Sequence, residues 1–267
     1  MFNKINIPII VVSCDAYQDV WHPFFHLFFK NWSDCPFPLY LVSNTIEYPD
    51  SRVSPLLIGN DVDYSSNLIK ALNQIEQEWL IFWVEDRPPS ALVDTTQLVN
   101  LIELAQNKNA GYLNLLSCSP FALVNQKEQI GEIPKGFPYR VSMTVALWKK
   151  STLLKILKAG ETAWDIEKKG GVERCNQIDD KFYALSITFK SRPPIVDTHL
   201  ISKGQLMWKG VRLLKQEKII HYVEKRSINS FWRYLYLEFH QFAWDTYDYI
   251  RWQIKKITNK SVKSIME

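Results

Sequence analysis

Residues 79–89 read WLIFWVEDRPP, and the change of character inside that stretch decides how the rest of the chain is read. Six consecutive apolar residues, Trp79, Leu80, Ile81, Phe82, Trp83 and Val84, spell a strand buried on both faces, as inside a parallel sheet. The run stops at Glu85, Asp86 and Arg87, and Pro88 and Pro89 then force the backbone out of the sheet. Two carboxylates therefore stand at the carboxyl end of a strand. In an open α/β sheet that end borders the crevice where ligands bind. A strand that merely reaches solvent also ends on charges, so on this stretch alone the functional and structural readings weigh equally.

The same pattern stands at the start of the chain. Residues 7–12 (IPIIVV) form a β-branched run ending in Ser13, Cys14 and Asp15, and residues 39–42 (LYLV) form a second ending in Ser43 and Asn44. The aromatic stretch 19–32 between them has helical character, so strand, helix, strand opens a βαβ series with parallel strands. A short strand is expected at 56–58. A helix over 67–78, with the serine at 66 as N-cap, delivers the chain into the strand at 79. A second amphipathic helix covers 93–107. Beyond it, strands are expected at 110–116, 139–148, 182–188 and 194–196, with loops or a small hairpin over 117–138. A helix over 151–159 has a serine cap and closes on Gly160, a charged turn spans 168–171, and a basic helix spans 204–215. Residues 228–257 are aromatic-rich and helical. The expected fold is α/β: a GT-A-like (Rossmann-like) mixed sheet, mostly parallel in its first half and flanked by helices. It forms a domain over residues 1–215, followed by a helical extension over 216–267.

Composition sets the outer limits. The chain has 267 residues, 46% hydrophobic and 22% charged, enough for a substantial core. Four well-separated cysteines, Cys14, Cys35, Cys118 and Cys175, form no CxxC pair and are read as buried thiols in a reducing compartment. No apolar run reaches the roughly 18 residues of a membrane-spanning helix. The formal charge is +4, but Lys and Arg concentrate in residues 203–263, which points to an anionic partner at that end.

Three acidic positions stand out: Asp15, the pair Glu85 and Asp86, and Asp165 with Glu167. The first two share one rim of a parallel sheet. A divalent cation that bridges a diphosphate takes one or two protein carboxylates and leaves the rest to phosphates, a role that suits Asp86. Neither a P-loop nor a GxGxxG fingerprint is present, so nucleotide-hydrolase and dinucleotide-oxidoreductase readings lose support.

Five tracts together carry a resemblance: VVSCDAYQDVW at 11–21, LYLVSN at 39–44, WLIFWVED at 79–86, YRVSMTVALWKKSTLLKIL at 139–157 and GETAWDIE at 160–167. Over residues 7–210 the chain is similar to bacterial glycosyltransferases of the GT-A fold, in particular small enzymes of polysaccharide and lipopolysaccharide gene clusters. That resemblance implies a nucleotide-sugar donor across the strand ends, held by Asp15, Ser43, Asn44, Ser66, Glu85, Asp86, Arg87 and Lys203. It implies Glu167, ahead of Asp165, as the base that deprotonates an acceptor hydroxyl, with Trp164, Tyr139 and Arg140 on the acceptor side. Two neighbouring acids beside a tryptophan provide the surroundings that raise a carboxyl pKa towards neutrality. It also implies a divalent cation, Mn2+ or Mg2+, at Asp86 with His199. Direct, inverting displacement follows, because no nucleophile for a double displacement is evident. One departure stands against the pattern. The family's metal motif is Asp-x-Asp, whereas Glu85, Asp86 and Arg87 stand here, and Arg87 either forms a salt bridge or shares in neutralising the diphosphate.

Weaker candidates have plain alternatives. His22 and His26 lie four apart on the first helix, as a metal pair does, but Pro23 and the phenylalanines favour packing. The C-terminal aromatics, interleaved with Lys and Arg, suit an interfacial helix on an anionic membrane carrying a lipid-linked acceptor. They equally suit packing on the chain's own domain or in a homodimer. The competing function is a non-catalytic module binding nucleic acid or a protein partner through those helices. On the transferase reading the partners are the donor sugar and a glycan or lipid-linked acceptor, without nucleic acid. The expected location is then the cytoplasm, peripheral to the inner face of the membrane.

Overall fold

β1 (Ile9–Val12) and β4 (Trp79–Val84) carry no charged residue, and the period of two in a strand sends their side chains to opposite faces. Ile9, Val11, Ile81 and Trp83 join one buried cluster, while Ile10, Val12, Leu80 and Phe82 join another. A sheet with two apolar faces needs cover on both, and helices supply it. The computed structural model describes residues 5–116, 129–137, 140–185, 193–236, 239–240, 243, 246–247 and 250–254.

The other strands of the main sheet are β2 (Leu39–Ser43), β3 (Val53–Leu57), β5 (Ala110–Asn114), β6 (Ile130–Glu132), β7 (Ala146–Lys149) and β8 (Lys181–Leu185). Their order is β3-β2-β1-β4-β7-β5-β8-β6. The pairs among β3, β2, β1 and β4 are parallel, as is β5 with β8. β7 runs antiparallel to both β4 and β5, and β6 runs antiparallel to β8. The fold is therefore α/β with a mixed, mostly parallel sheet, as the sequence leads one to expect.

α1 (Gln18–Asn31) and α3 (Thr95–Asn107) cover one face, burying Trp21, Phe24, Phe28, Leu98 and Leu101 with the first cluster. α2 (Tyr64–Leu72), α4 (Lys150–Ile156), α5 (Ala163–Lys168) and α6 (Gly170–Gln177) cover the other, through Leu68, Leu72, Leu153, Ile156, Ile166 and Cys175. Trp83 is fully buried because its indole N–H finds an acceptor, the Arg87 carbonyl at 2.7 Å. A hairpin of β9 (Ile201–Ser202) and β10 (Gln205–Leu206), helix α7 (Trp208–Gln216) and a 3-10 turn at Ile220–Val223 build a third cluster on Val20 and Leu27 of α1.

Several boundaries differ from expectation. α2 opens at Tyr64 because Asp63, not Ser66, is its cap: the Asp63 carboxylate accepts from both the backbone N–H and the hydroxyl of Ser66. It ends at Leu72, short of residue 78. α4 opens at Lys150 without a side-chain cap and ends at Ile156, and Gly160 turns the chain afterwards at φ +85°. Of the strand expected over 139–148, only Ala146–Lys149 pairs; Tyr139 and residues 186–188 lie outside the described residues. Residues 194–196 form no strand, and the pairing beside them is a single bridge between Pro89 and Asp197. The turn expected at 168–171 is where α6 begins, a helix with two leading glycines whose packing overrides poor propensity. Beyond residue 216 the chain stays in contact with α1 and β10 through residues 219–229. Arg226 grips Asp19 through two bonds of 2.6 and 2.7 Å, and Asn229 is buried with its N–H on the Leu206 carbonyl.

Candidate functional site

β1 and β4 are paired in register, Val12 opposite Val84, so Ser13–Cys14–Asp15 and Glu85–Asp86–Arg87 leave the sheet side by side. β2 pairs with β1 on its other edge, Val42 opposite Val12, which brings Ser43 and Asn44 to the same rim. Parallel pairing alone thus assembles three of the expected tracts.

On the β1–β2 side the acid is fully engaged by the scaffold. The Asp15 carboxylate accepts from the backbone N–H groups of Asn44, Thr45 and Ile46 and, at 2.7 Å, from the Thr45 hydroxyl. Its own N–H donates to the Asn44 side chain at 3.0 Å. Partial burial pushes its pKa up, but these donors together outweigh burial and hold it below the ordinary carboxylate range. Ser43 is buried and donates to the Ile46 carbonyl, while Asn44 donates to Gly59. These three residues fix the turn at 44–46 and tie it to Gly59.

On the β4 side the acids are less well answered. Burial, and then the neighbouring Asp86 charge, raises Glu85 to about 8 against the weaker pull of the Ser13 hydroxyl and of Arg226. Asp86 meets His199, Oδ2 to Nε2, at 3.2 Å. Arg87 forms a salt bridge to Asp197, Nη1 to Oδ2, at 2.9 Å. Both partners come from residues 194–200, which run beside residues 86–94 through backbone bonds such as Leu200 N–H to Asp86 O and Thr198 N–H to Pro88 O.

α5 brings in the third acid. Glu167 Oε1 accepts from the Met143 N–H at 2.6 Å and the Ser142 hydroxyl at 3.0 Å. Burial nevertheless raises its pKa, with those bonds and the charges of Lys168 and Arg87 acting the other way. Its proximity to the β4 tip shows at Tyr64. That phenol is raised well above its ordinary value by burial and then by Glu167, Glu85 and Asp86, in that order. The Tyr64 hydroxyl is sealed from solvent and, among the described residues, has no hydrogen-bond partner. Three carboxyl groups and one unanswered hydroxyl therefore converge at this end of the sheet.

Some expected members lie elsewhere. Asp165, expected beside Glu167 in the chemistry, caps α5 instead: it closes a capping box with Thr162 and binds Lys169 at 2.7 Å, which holds its carboxyl well below the usual range. Arg140, expected to meet acceptor, is only 2% exposed. Its guanidinium bonds the Ile133 and Cys175 carbonyls and lies 4.5 Å over Phe182, so it ties β6 and α6 to β8. Ser66, expected on the donor, serves Asp63. Lys203 is exposed at the β9–β10 turn with φ +50°. Trp164 is 58% exposed, with the Lys168 ammonium 4.6 Å from its ring centroid. Tyr64, Asp197, Ser13 and Ser142 went unmarked in the sequence. Asp197 alone had a signal, as an acid two residues before His199.

The donor set accommodates a cation in part. An oxygen and a nitrogen 3.2 Å apart match two adjacent ligands of an octahedral ion, which sit about 3 Å from one another when each bond is roughly 2.1 Å. Among the described residues no group of three or more His, Cys, Asp or Glu is placed to hold a metal, so further ligands would have to come from phosphate or water. Among the same residues, no helix is long and apolar enough to cross a membrane. Cys35 and Cys175 are free thiols pushed up to about 12 by burial.

No protein-family model matches the chain, and no curated protein matches it significantly. Among solved structures it is similar to the mannosyltransferase PcManGT from Pyrobaculum calidifontis, described in complex with GDP-Man and Mn2+. The identity is 11%, the TM-score is 0.47, and the match covers 82% of this chain and 63% of that one. It is similar to the glycosyltransferase GlyE of Streptococcus pneumoniae at 12% identity and TM-score 0.47, over 74% of this chain and 55% of that one. It is also similar to a cytidylyltransferase from Leptospira borgpetersenii at 13% identity and TM-score 0.45, over 86% of this chain and all of that one.

Proposed function

We propose that this chain is a glycosyltransferase that moves a sugar from a nucleotide-diphosphate donor to a hydroxyl of a glycan or lipid-linked acceptor, with inversion. The observation that carries the reading is Glu167. Its carboxyl is desolvated, raised in pKa, pinned through one oxygen to residues 142–143, and set beside the acids at the tip of β4. A general base needs a fixed position and a pKa lifted towards the working pH, and burial gives this side chain both. The exposed Trp164 ring, three residues earlier on α5, offers a flat apolar surface on which an acceptor sugar can lie.

In this reading the donor lies across the ends of β1, β2 and β4, with its nucleoside on the Asp15 side and its diphosphate on the Asp86 side. Asp86 and His199 would hold a divalent cation, which when bound neutralises the leaving diphosphate. Arg87 remains in its salt bridge to Asp197 and screens Glu167 and the diphosphate as a fixed positive charge. Glu167 takes the acceptor proton as the acceptor oxygen attacks the anomeric carbon from the face opposite the leaving group.

The test is a thermal-shift panel of nucleotide sugars with and without Mn2+, followed by mass detection of products with glycan and lipid-linked acceptors. Stabilisation by a nucleotide sugar and appearance of a glycosylated product are expected. A uniform absence of shift sinks the reading. Release of pyrophosphate from a nucleoside triphosphate, without sugar transfer, would instead identify a nucleotidyltransferase. Undiminished transfer in excess chelator would remove the cation from the scheme.

A further inference from the structure

The described residues between Phe231 and Ile254 are helical, and two of them meet the body. Tyr234 is buried with its ring 6.3 Å from Trp208, and Trp252 packs edge-on against Phe137 at 5.1 Å. Within residues 231–236, Trp232 and Tyr236 each lie about 160° from Tyr234, on the side turned away from the body, and Phe239, Tyr247 and Ile250 further along are exposed as well.

All five are exposed, Trp232 at 78% and Phe239 at 73%. A helix that packs on its own domain normally turns polar residues outward, so an outward stripe of aromatic and aliphatic side chains marks a surface that meets something apolar. Its edge is basic. Arg233 and Arg251 are both exposed, and Lys225 is exposed shortly before residue 231. Residues 203–267 hold thirteen Lys and Arg against six Asp and Glu. Apolar stripe and cationic border together fit a lamellar partner with an oily interior and anionic headgroups, with the arginine stems lying along the interface.

We propose that this helix docks in the plane of an anionic lipid surface, its Trp232–Tyr236–Phe239 stripe in the headgroup layer. The surface borders the candidate site. Trp208 packs edge-on against Phe231 and follows Met207, whose N–H bonds the Leu200 carbonyl, and Leu200 is next to the His199 that meets Asp86. On the transferase reading, a lipid-linked acceptor would reach the rim along the membrane. The docking itself stands on the exposed stripe and does not depend on that reading.

The test is sedimentation of the full chain, without nucleotide sugar, with vesicles of phosphatidylcholine alone or mixed three to one with phosphatidylglycerol. The expected result is binding at least about tenfold tighter to the anionic vesicles, weakening from about 0.1 M to about 1 M salt as the screening length shrinks. Trp232→Ala/Tyr236→Ala/Phe239→Ala should lose at least about tenfold on the anionic vesicles while keeping the melting temperature, since these side chains are exposed. Arg233→Glu/Arg251→Glu, an independent variant, should lose at least about tenfold on the anionic vesicles only. Absence of vesicle binding overturns the proposal. So does a concentration-dependent dimer in sedimentation velocity that the triple variant abolishes, or tighter retention on a single-stranded oligonucleotide than on anionic vesicles.

Discussion

Asp15 at the end of β1 and Glu85 at the end of β4 leave the sheet side by side, yet their surroundings drive them in opposite directions. Asp15 meets three backbone N–H groups and a hydroxyl, and its pKa falls. Glu85 meets burial and another carboxylate, and its pKa rises to about 8. Glu167, across the rim, rises as well despite two donors on one of its oxygens. The supply of donors separates the two sides: where the loop wraps the acid, the carboxylate is scaffold, and where it does not, the carboxyl is held short of satisfaction and available for chemistry.

The largest expected effect tests that division at Glu167. Glu167→Gln keeps the shape and the oxygen that receives Met143 and Ser142, but it cannot take a proton. Transfer should fall about 100 to 10,000-fold. Stability should move the other way. Because the folded pKa lies above the ordinary 4.5, this group's contribution is full below pH 4.5 and is lost as pH rises through the raised value. Glutamine removes that loss, so above pH 4.5 the variant should melt no lower than the parent. A variant that melts lower and transfers normally would assign Glu167 to the scaffold.

Gly171→Ala attacks the support of the same side. A Cβ at this position would lie 2.4 Å from both Cα and O of Ile166, backbone atoms that cannot swing aside. Overpacking of this kind costs about 1–3 kcal/mol. Since Glu167 follows Ile166, transfer should drop further than the loss of folded protein accounts for. Unchanged denaturant midpoint and activity would show that α5 and α6 can separate freely.

The β1 side should respond with the opposite sign. Asp15→Asn leaves backbone N–H groups short of acceptors and should cost about 2 kcal/mol, read by denaturant unfolding at neutral pH. Asp15's contribution is present above its ordinary value of 3.8 and is lost as pH falls through its depressed folded value. The parent and variant curves should therefore converge under strong acid. A constant gap at every pH would mean that the charge plays no part in the clamp.

Much of the sheet was legible because β1, β2, β4 and β5 are apolar runs with abrupt polar ends, and α1 and α3 repeat their apolar residues at helical spacing. The second half was harder, since β6, β7 and β8 are three to five residues long and their pairing is set by distant partners. In the site, strand tips could be placed in sequence, but the direction of a side chain could not. Arg140 looked like a strand-opening cation because nothing local announces a guanidinium that threads between two carbonyls and a phenyl ring. Asp165 and Glu167 are two residues apart on α5, so helical geometry turns them about 200° from each other. One closes the helix cap, and the other reaches the rim.

The smallest effect is expected at Tyr64, and its sign carries the information. An O–H that is buried without an acceptor forfeits its hydration and gains nothing, a deficit of about 1–3 kcal/mol relative to a satisfied group. Three carboxyl groups act on that hydroxyl, but none accepts its proton. Tyr64→Phe removes the unsatisfied atom and keeps the ring, so the melting temperature should hold or rise slightly, by the equivalent of up to about 1 kcal/mol. Asp15→Asn, a change of similar size at the opposite side of the rim, should lower it. If Tyr64→Phe also slows transfer, the hydroxyl finds its acceptor in the substrate complex. If it lowers the melting temperature as much as Asp15→Asn does, the hydroxyl is already satisfied in the resting protein, and the two sides of the rim are not the contrast that their hydrogen bonds describe.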